Sequence, residues 1–242
     1  MELYWGSLTK YPIPSDMTDE MVLDLLGKWR GENYLRQKTE LGRALSFCAG
    51  MTLKEAFVKN KFNLIGFKPR IGENGKPSGE EMEFNLSHSG EVALVAVSSD
   101  FLPVGCDVQR IENKPEDRIM AISKRFFSIN EVAKMQDLIH EENEKFRRLF
   151  YLVFSAKEAY IKMTGEGLKR AMDSFDIPLD DEIISELSNE RKIGIKRETQ
   201  IDGELVEFSF YLPCCIHELV GQIRENDEYV AVVCKKKQKI GK

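Results

Sequence analysis

EKFRRLFYLVFSAKEAYIKMTGEG, residues 144–167, is the stretch on which the fold turns. Phe146, Leu149, Phe150, Val153, Ala156 or Lys157, Tyr160 and Met163 recur at steps of three and four, which predicts one long helix from about 144 to 164. Gly165 is the expected stop, because glycine takes the left-handed conformation that ends helices. Within this apolar helix stand Lys157, Glu158 and Lys162. Two readings are open. Glu158 and Lys162 share a face at i,i+4, so an ion pair worth roughly 0.2–0.5 kcal/mol accounts for them without any function. Alternatively, ammonium groups around one carboxylate make a site for an anion and a metal ion. Ser155 and Glu158 also fit an S-x-x-E capping box, but the apolar period runs through Ser155 unbroken, so no helix begins there.

Upstream, PEDRIMAISKRFFSINEVAKMQDL (115–138) reads as two helices broken near Ser128, whose hydroxyl is placed to cap the second. Downstream, KIGIKRETQ, ELVEFSFYLPCC and EYVAVVCKK read as strands and turns. The N-terminal third is helical in pattern. SDMTDEMVLDLLGKWR (15–30) carries caps and then apolar residues at helical spacing, ENYLRQKTELGRALSFCAG continues to a stop at Gly50, and TLKEAFVKNKF is a further short helix. The texture changes near residue 70, where GENGKPSGEE forms turns. NLSHSG then reads as a polar turn, VALVAVSS as a mostly buried strand, and LPVGCDVQRIE as a second strand that could pair with it through SSDFLP. Each half ends in an apolar strand, so the expectation is an α+β chain of two halves, 1–112 and 113–242.

Composition narrows the function classes. The 242 residues are 42% hydrophobic and 31% charged, enough for a sizeable core and a solvated surface. A net charge of −5 argues against general nucleic-acid binding, so an anionic ligand needs a local cluster of cations. The basic run KKKQKIGK reads as a solvated end. No segment has the roughly 20 apolar residues of a membrane span, and the start lacks the pattern of a signal peptide. Five cysteines with no C-x-x-C pair speak against a disulfide framework and a zinc ribbon, and for a cytoplasmic setting.

Three clusters could carry chemistry. On the strand VGCDVQ, Asp107 and Gln109 share one face, opposite Cys106 and Val108, and an acid with an amide can offer oxygens to Mg2+. The bland alternative is an acid at an exposed strand end. Glu158, Lys162 and Lys157 form the second cluster. The third, Asn85, Ser87, His88 and Ser89, gathers hydroxyls, an imidazole and backbone N–H groups that can meet phosphate. The bland alternative is that a lone histidine in a turn, such as His88, is incidental; the chain has three, His88, His140 and His217. Neither a P-loop, a dinucleotide fingerprint, a zincin helix nor a nucleophile elbow is present.

In order, these stretches resemble the Sfp-type 4'-phosphopantetheinyl transferases. NGKP (74–77) is similar to the family's G-K-P loop, FNLSHSG (84–90) to its N-x-S-H-S/T motif, VGCDVQ (104–109) to G-I/V-D-I/V-E, and FSAKEAYIK (154–162) to W/F-S/T-x-K-E-A/S-x-x-K. KRFFSINE and GEGL agree as well, and the match spans about 35 to 175. The resemblance implies two similar α/β halves about a pseudo-twofold axis with the active site between them. It implies transfer of phosphopantetheine from coenzyme A to a serine of an apo acyl or peptidyl carrier protein, with Mg2+ and release of 3',5'-ADP.

By position, Asp107 and Glu158 are then the metal ligands and Glu158 the candidate base. Lys162 and Lys157 hold the diphosphate, Ser87 and His88 contact coenzyme A phosphates, and Gly75, Lys76 and Pro77 line the adenine pocket. By a looser alignment, Arg36 or Lys38 meets the ribose 3'-phosphate. Gln109 stands where the family commonly has a third acid, so its carbonyl or a water is expected at the metal and the affinity is expected to be lower. A catalytically silent coenzyme A-binding protein and a metal-dependent diphosphate hydrolase are the other readings. No nucleic-acid or membrane partner is expected, and a monomer suffices. SKRFFS and KFRRLF are candidates to receive an acidic carrier, although Phe126, Phe127, Phe146 and Phe150 read first as core.

Overall fold

The computed structural model describes the chain apart from residues 81, 140–142, 189–193, 221–222, 224–226 and 239–242, and apart from the side chains of Leu168, Cys214, Cys215, His217 and Glu218. His140 and the side chain of His217 thus lie outside the described residues. The first half contains β1 (Glu2–Ser7), α1 (Asp19–Leu35), α2 (Glu40–Lys59), β2 (Arg70–Ile71), β3 (Pro77–Ser78), β4 (Glu83–Ser89), β5 (Val92–Ser98) and β6 (Val104–Arg110). The second contains α3 (Glu116–Phe126), α4 (Ile129–Leu138), α5 (Asn143–Thr164), α6 (Asp181–Glu186), β7 (Ile195–Ile201), β8 (Glu204–Tyr211), α7 (Pro213–Val220) and β9 (Tyr229–Lys236).

The chain is mixed α and β, and its strand patterns explain the layering. One sheet has the order β1-β5-β4 and another β6-β9-β8-β7. Val92, Leu94 and Ala96 of β5 face Val104, Cys106 and Val108 of β6 and Ala231 and Val233 of β9, so the two sheets pack on each other. The alternate β5 residues Val95 and Val97 meet Leu53, Ala56 and Phe57 of α2. On β9, Val230, Val232 and Cys234 turn instead to the large cluster around Phe146, Leu149 and Val153 of α5. Both strands are apolar throughout because both of their faces are covered. The order of layers is helix, sheet, sheet, helix.

The long helix runs Asn143–Thr164 and ends at Gly165, whose φ of +74° is the left-handed stop its sequence predicts. Ser128 caps α4 in a full capping box with Glu131. Three expectations are corrected. The strands VALVAVS and VGCDVQR do not form a hairpin, for β5 pairs with β1 and β4 while β6 crosses over to pair with β9. NLSHS is not a turn but most of strand β4, with the turn confined to Gly90 at φ +57°. Gly50 does not stop a helix, since α2 continues to Lys59; a Cβ there would stand 2.6 Å from Leu26 Cδ1, so the glycine serves close packing of α1 on α2. The real break falls at Gly27, inside α1, at φ +72°.

β4 and β6 are both edge strands, and side chains join them. The N–H groups of Cys106, Val108 and Arg110 point away from β9's ladder. They donate to Asn85 Oδ1 at 2.9 Å, Ser87 Oγ at 3.4 Å and Ser89 Oγ at 3.0 Å. Thus the polar alternation of NLSHS satisfies an edge that would otherwise be left open. Among the described residues Cys48, Cys106 and Cys234 are free and buried. Lys235, Lys236 and Lys237 of the basic run pair with Asp100, Glu204 and Glu198, respectively.

Candidate active site

Asp107 stands at the centre of the seam, 2% exposed, on the β6 face that Gln109 shares. Its Oδ1 accepts from Ser87 Oγ at 2.8 Å and from the Lys162 ammonium at 2.6 Å. Its Oδ2 accepts from Ser155 Oγ and from Gln109 Nε2, each at 2.9 Å. A buried carboxylate is tolerated only with such partners, and here β4, β6 and α5 each supply at least one. Gly105, lacking a Cβ, lets β6 run directly against α5 and so brings Asp107 beneath the helix.

On α5, Ser155, Glu158 and Lys162 occupy one face, three and four residues apart. Glu158 is half-buried and makes no hydrogen bond or ion pair among the described residues. Burial raises its carboxyl pKa; Lys162 pulls it down and Asp107 adds to the rise. For Lys162, burial alone would lower the pKa, but Asp107, through charge and hydrogen bond, holds the ammonium above its ordinary value. The sequence-level ion pair is therefore made across the seam to Asp107, and not along the helix to Glu158.

A cavity of about 510 Å³ opens beside these groups, lined by Glu158, Lys162, Ile161, Asn85 and the loop Asn74–Pro77. That is a volume suited to a small-molecule ligand. Gly75, at φ +85°, turns the short β2–β3 hairpin. Asn74 Nδ2 donates to Gly165 O at 2.9 Å, and the Lys76 ammonium donates to Met163 O at 3.0 Å and Val104 O at 3.2 Å. The hairpin is thereby tied to the C-terminal end of α5. The far wall holds Arg125, Phe126, Arg170 and Met172.

The sequence model of the 4'-phosphopantetheinyl transferase superfamily matches residues 103–230, from the start of β6 to β9. This segment carries Asp107, Glu158 and Lys162. The chain belongs to the 4'-phosphopantetheinyl transferase superfamily. It is 41% identical over 112 residues to the 4'-phosphopantetheinyl transferase psf-1 of Bacillus pumilus, covering 45% of this chain and 44% of that one. It is 33% identical over 127 residues to the 4'-phosphopantetheinyl transferase ffp of Bacillus subtilis, covering 52% and 53%. With the 4'-phosphopantetheinyl transferase Sfp of Bacillus subtilis strain 168 the identity is 36% over 110 residues, covering 44% and 45%. The chain spans about half the length of the curated relatives it matches.

Within this transferase-superfamily chain, Lys157 does not reach the cavity. It is 0% exposed, pairs with Glu131 at 2.8 Å, donates to Phe175 O and lies 4.4 Å from the Phe175 ring centroid. Burial lowers its pKa, and Glu131 opposes that. Glu131 also accepts from Ile177 N–H at 2.8 Å and from Ser128 N–H at 2.9 Å. The assignment of Lys157 to the diphosphate is therefore corrected: it belongs to a buried knot joining α4, α5 and the 175–177 segment. Lys76 lines the cavity with its stem while its head is anchored to main-chain carbonyls.

Ser87 sits under Lys162, which donates to it at 3.1 Å. His88 is exposed; the protein around it and the Arg30 and Lys162 cations push its pKa down, and Asp107 opposes them. Arg36 and Lys38 are exposed on the loop after α1, and Arg36 bonds Asn33 Oδ1. Sequence reading missed Arg30, which is 8% exposed, has no ion-pair partner among the described residues and keeps a buried Nε without an acceptor. Burial first, and then Arg36, lowers its pKa to about 10. Its spacing of four residues from Leu26 and Tyr34, both buried, is the signal that could have found it. Ser155 was missed too, being hidden in the apolar period. Of the candidate carrier-facing aromatics, Phe127, Phe146 and Phe150 are core, while Phe126 lines the cavity.

The donors at the seam fit a hard divalent cation. Asp107 and Glu158 are carboxylates and Gln109 carries an amide oxygen, all oxygen ligands of the kind Mg2+ takes. Among the described residues Glu158 has no hydrogen-bond or ion-pair partner to give up. Among the described residues no three His, Cys, Asp or Glu side chains form a metal-holding group.

Proposed function

We propose that this chain transfers the 4'-phosphopantetheine of coenzyme A to a serine hydroxyl of an apo acyl or peptidyl carrier protein, with Mg2+, releasing 3',5'-ADP. The observation that supports it is the cavity in which an unpaired, half-buried Glu158 and the Lys162 ammonium stand beside the buried Asp107. Membership of the superfamily and the names of its relatives point the same way. Asp107 and Glu158, with Gln109 or a water, would hold Mg2+, which when bound neutralises charge on the diphosphate and on its leaving group.

In this reading Glu158 takes the serine proton. Its raised pKa suits a base, because a more basic carboxylate accepts a proton more readily. Lys162 binds phosphate oxygens and stabilises charge that grows in the transition state. The loop Gly75, Lys76 and Pro77 borders the adenine, and Ser87 and His88 lie on the phosphate side. Arg30, next to His88 in charge if not in bond, joins Arg36 and Lys38 as a candidate for the ribose 3'-phosphate. We read the chain as two similar halves, 1–112 and 113–242, with the site between them and β6 as the strand that crosses into the second sheet. A monomer is sufficient for this arrangement.

No helix among the described residues is long and apolar enough to cross a membrane. Gln109 in place of a third acid favours one other reading, a silent coenzyme A-binding protein. Incubation with coenzyme A, Mg2+ and apo carriers of fatty-acid, polyketide and nonribosomal-peptide type separates the two. A carrier heavier by one phosphopantetheine identifies the transferase; coenzyme A binding with no carrier modified overturns it. Phosphopantetheine released to water without any carrier identifies a hydrolase instead.

A further inference from the structure

Asp107 has no lone pair to spare. A carboxylate offers about four acceptor positions, and Ser87, Lys162, Gln109 and Ser155 take all of them. A cation that binds Asp107 must therefore displace one of these donors. The two serines cannot leave cheaply. Ser155 is fully buried, and Ser87 is held in the β4–β6 seam, where its oxygen already accepts from Val108 N–H and from Lys162. Gln109 is neutral, so an incoming dication does not repel it. Lys162 is charged, sits on a flexible four-carbon stem and keeps 28% of its side chain open toward the cavity.

The geometry points to Lys162 as the resident counter-ion of Asp107, a gate that a divalent cation must open. The inference rests on the transferase reading only in taking Asp107 as a ligand of that cation. When the cation arrives, the ammonium leaves Oδ1 and swings into the cavity, where it becomes free to pair with an anion. Cation and anion binding are then coupled through one side chain, and the coupling is reciprocal: an anion that draws Lys162 away raises cation affinity by the same factor. Lys162 so has two partners in sequence, Asp107 before loading and a phosphate oxygen after it. Lys76 provides the contrast, since its ammonium is fixed to the Val104 and Met163 carbonyls and its ion-pair partner, Glu83 at 3.8 Å, stands apart from the Asp107 cluster.

The test needs no turnover. Mn2+ binding to the wild-type chain is measured by electron paramagnetic resonance, and acetylation rates of Lys162 and Lys76 are read by peptide mass spectrometry with and without saturating Mn2+. The expected result is a rise of about tenfold in Lys162 labelling on Mn2+ addition, with Lys76 unchanged. Lys162→Gln should in turn bind Mn2+ about tenfold more tightly than wild type without any anion present. Bound Mn2+ with unchanged Lys162 labelling overturns the gate and leaves the metal site standing. Equal rises at Lys162 and Lys76 also overturn it, since they report general loosening. If Asp107→Asn binds Mn2+ as well as wild type does, the cation is not at Asp107, and both the metal reading and the gate fall.

Discussion

Gly105 and Ala159 are in such close approach that a Cβ on the first would stand 2.0 Å from the carbonyl oxygen of the second. The same Cβ would be 2.3 Å from Met163 N, so backbone of α5 blocks it on two sides. Backbone cannot move aside as a side chain can. Gly105→Ala should therefore cost about 3 kcal/mol, the upper part of the overpacking range, and lift α5 from Asp107. Urea unfolding checks the first, and loss of transfer activity the second. A variant with wild-type stability would show that α5 and β6 are not in this contact.

Lys157 and Glu131 form a buried pair, 0% and 2% exposed. Removing one partner of such a pair leaves a buried charge and typically costs 3–5 kcal/mol, whereas replacing both is far milder. Lys157→Met is expected to lose about 3 kcal/mol or more in urea unfolding, and Lys157→Met with Glu131→Gln to recover part of it, since glutamine keeps one of the two oxygens that accept from Ile177 N–H and Ser128 N–H. Because Lys157 faces the core, the double variant should keep its KM for coenzyme A. A tenfold rise in that KM at the recovered stability would return Lys157 to the anion site.

The crossover that replaces the expected hairpin is pinned by Asp100, which accepts from Ser98 Oγ at 2.7 Å and from the Lys235 ammonium at 2.6 Å. Slight burial opposes ionisation, but the Lys235 hydrogen bond and then that of Ser98 outweigh it and bring its pKa to about 2. The unfolded value is near 3.9, so the folded pKa is depressed. The stabilisation is then complete above about pH 4 and is lost as pH falls toward 2. The stability difference between wild type and Asp100→Asn should be constant from pH 5 to 7 and shrink below pH 4. It should also be modest, since Asp100 is half exposed to solvent screening. A difference that grows in acid contradicts the pairing.

How much of this was legible depends on which periodicity carried the information. Asp107 and Gln109 share a face because strand side chains alternate, and their hydrogen bond follows that rule. The length of α5 and the Ser128 cap were equally readable. Lys157 was only half readable: its place in the apolar period, five residues and so well round the helix from Lys162, points it to the core, but the reason to bury an ammonium there, Glu131, is far off in sequence. The β5–β6 hairpin failed because two apolar strands in succession suit a hairpin and a change of sheet equally well. Ser155 and Arg30 escaped for a related reason. A small hydroxyl or one arginine in an apolar run becomes informative only when a partner, or the lack of one, is visible across the fold.

Asp107 and Glu158, both assigned to the metal, differ in what their replacement leaves behind. Asp107→Ala strands the Lys162 ammonium and the hydroxyls of Ser87 and Ser155, which should cost several kcal/mol, about 3–5 by analogy with broken buried pairs. Glu158→Ala strands nothing, and burial already disfavours its charge, so its stability should lie within about 0.5 kcal/mol of wild type. In transfer assays Glu158→Ala should lose about 10²–10⁴ in kcat, the usual worth of a general base. Thermal unfolding beside kinetics tests both at once. Wild-type turnover in a fully folded Glu158→Ala variant removes the glutamate from the chemistry.

Gln109→Glu offers the reverse experiment. The amide nitrogen now donates to Asp107 Oδ2 at 2.9 Å, and a glutamate there would set a second carboxylate against the first. Without a cation the two repel, so the variant should unfold at lower temperature than wild type. With a divalent cation the repulsion becomes attraction, because a third acidic oxygen joins the donor set and tightens binding. A ligand that binds only the folded chain stabilises it by RT ln(1 + [L]/Kd). The rise in melting temperature on adding Mg2+ should accordingly be larger for Gln109→Glu than for wild type. Equal rises in the two proteins would mean that residue 109 does not reach the ion, and the third ligand would have to be sought in water alone.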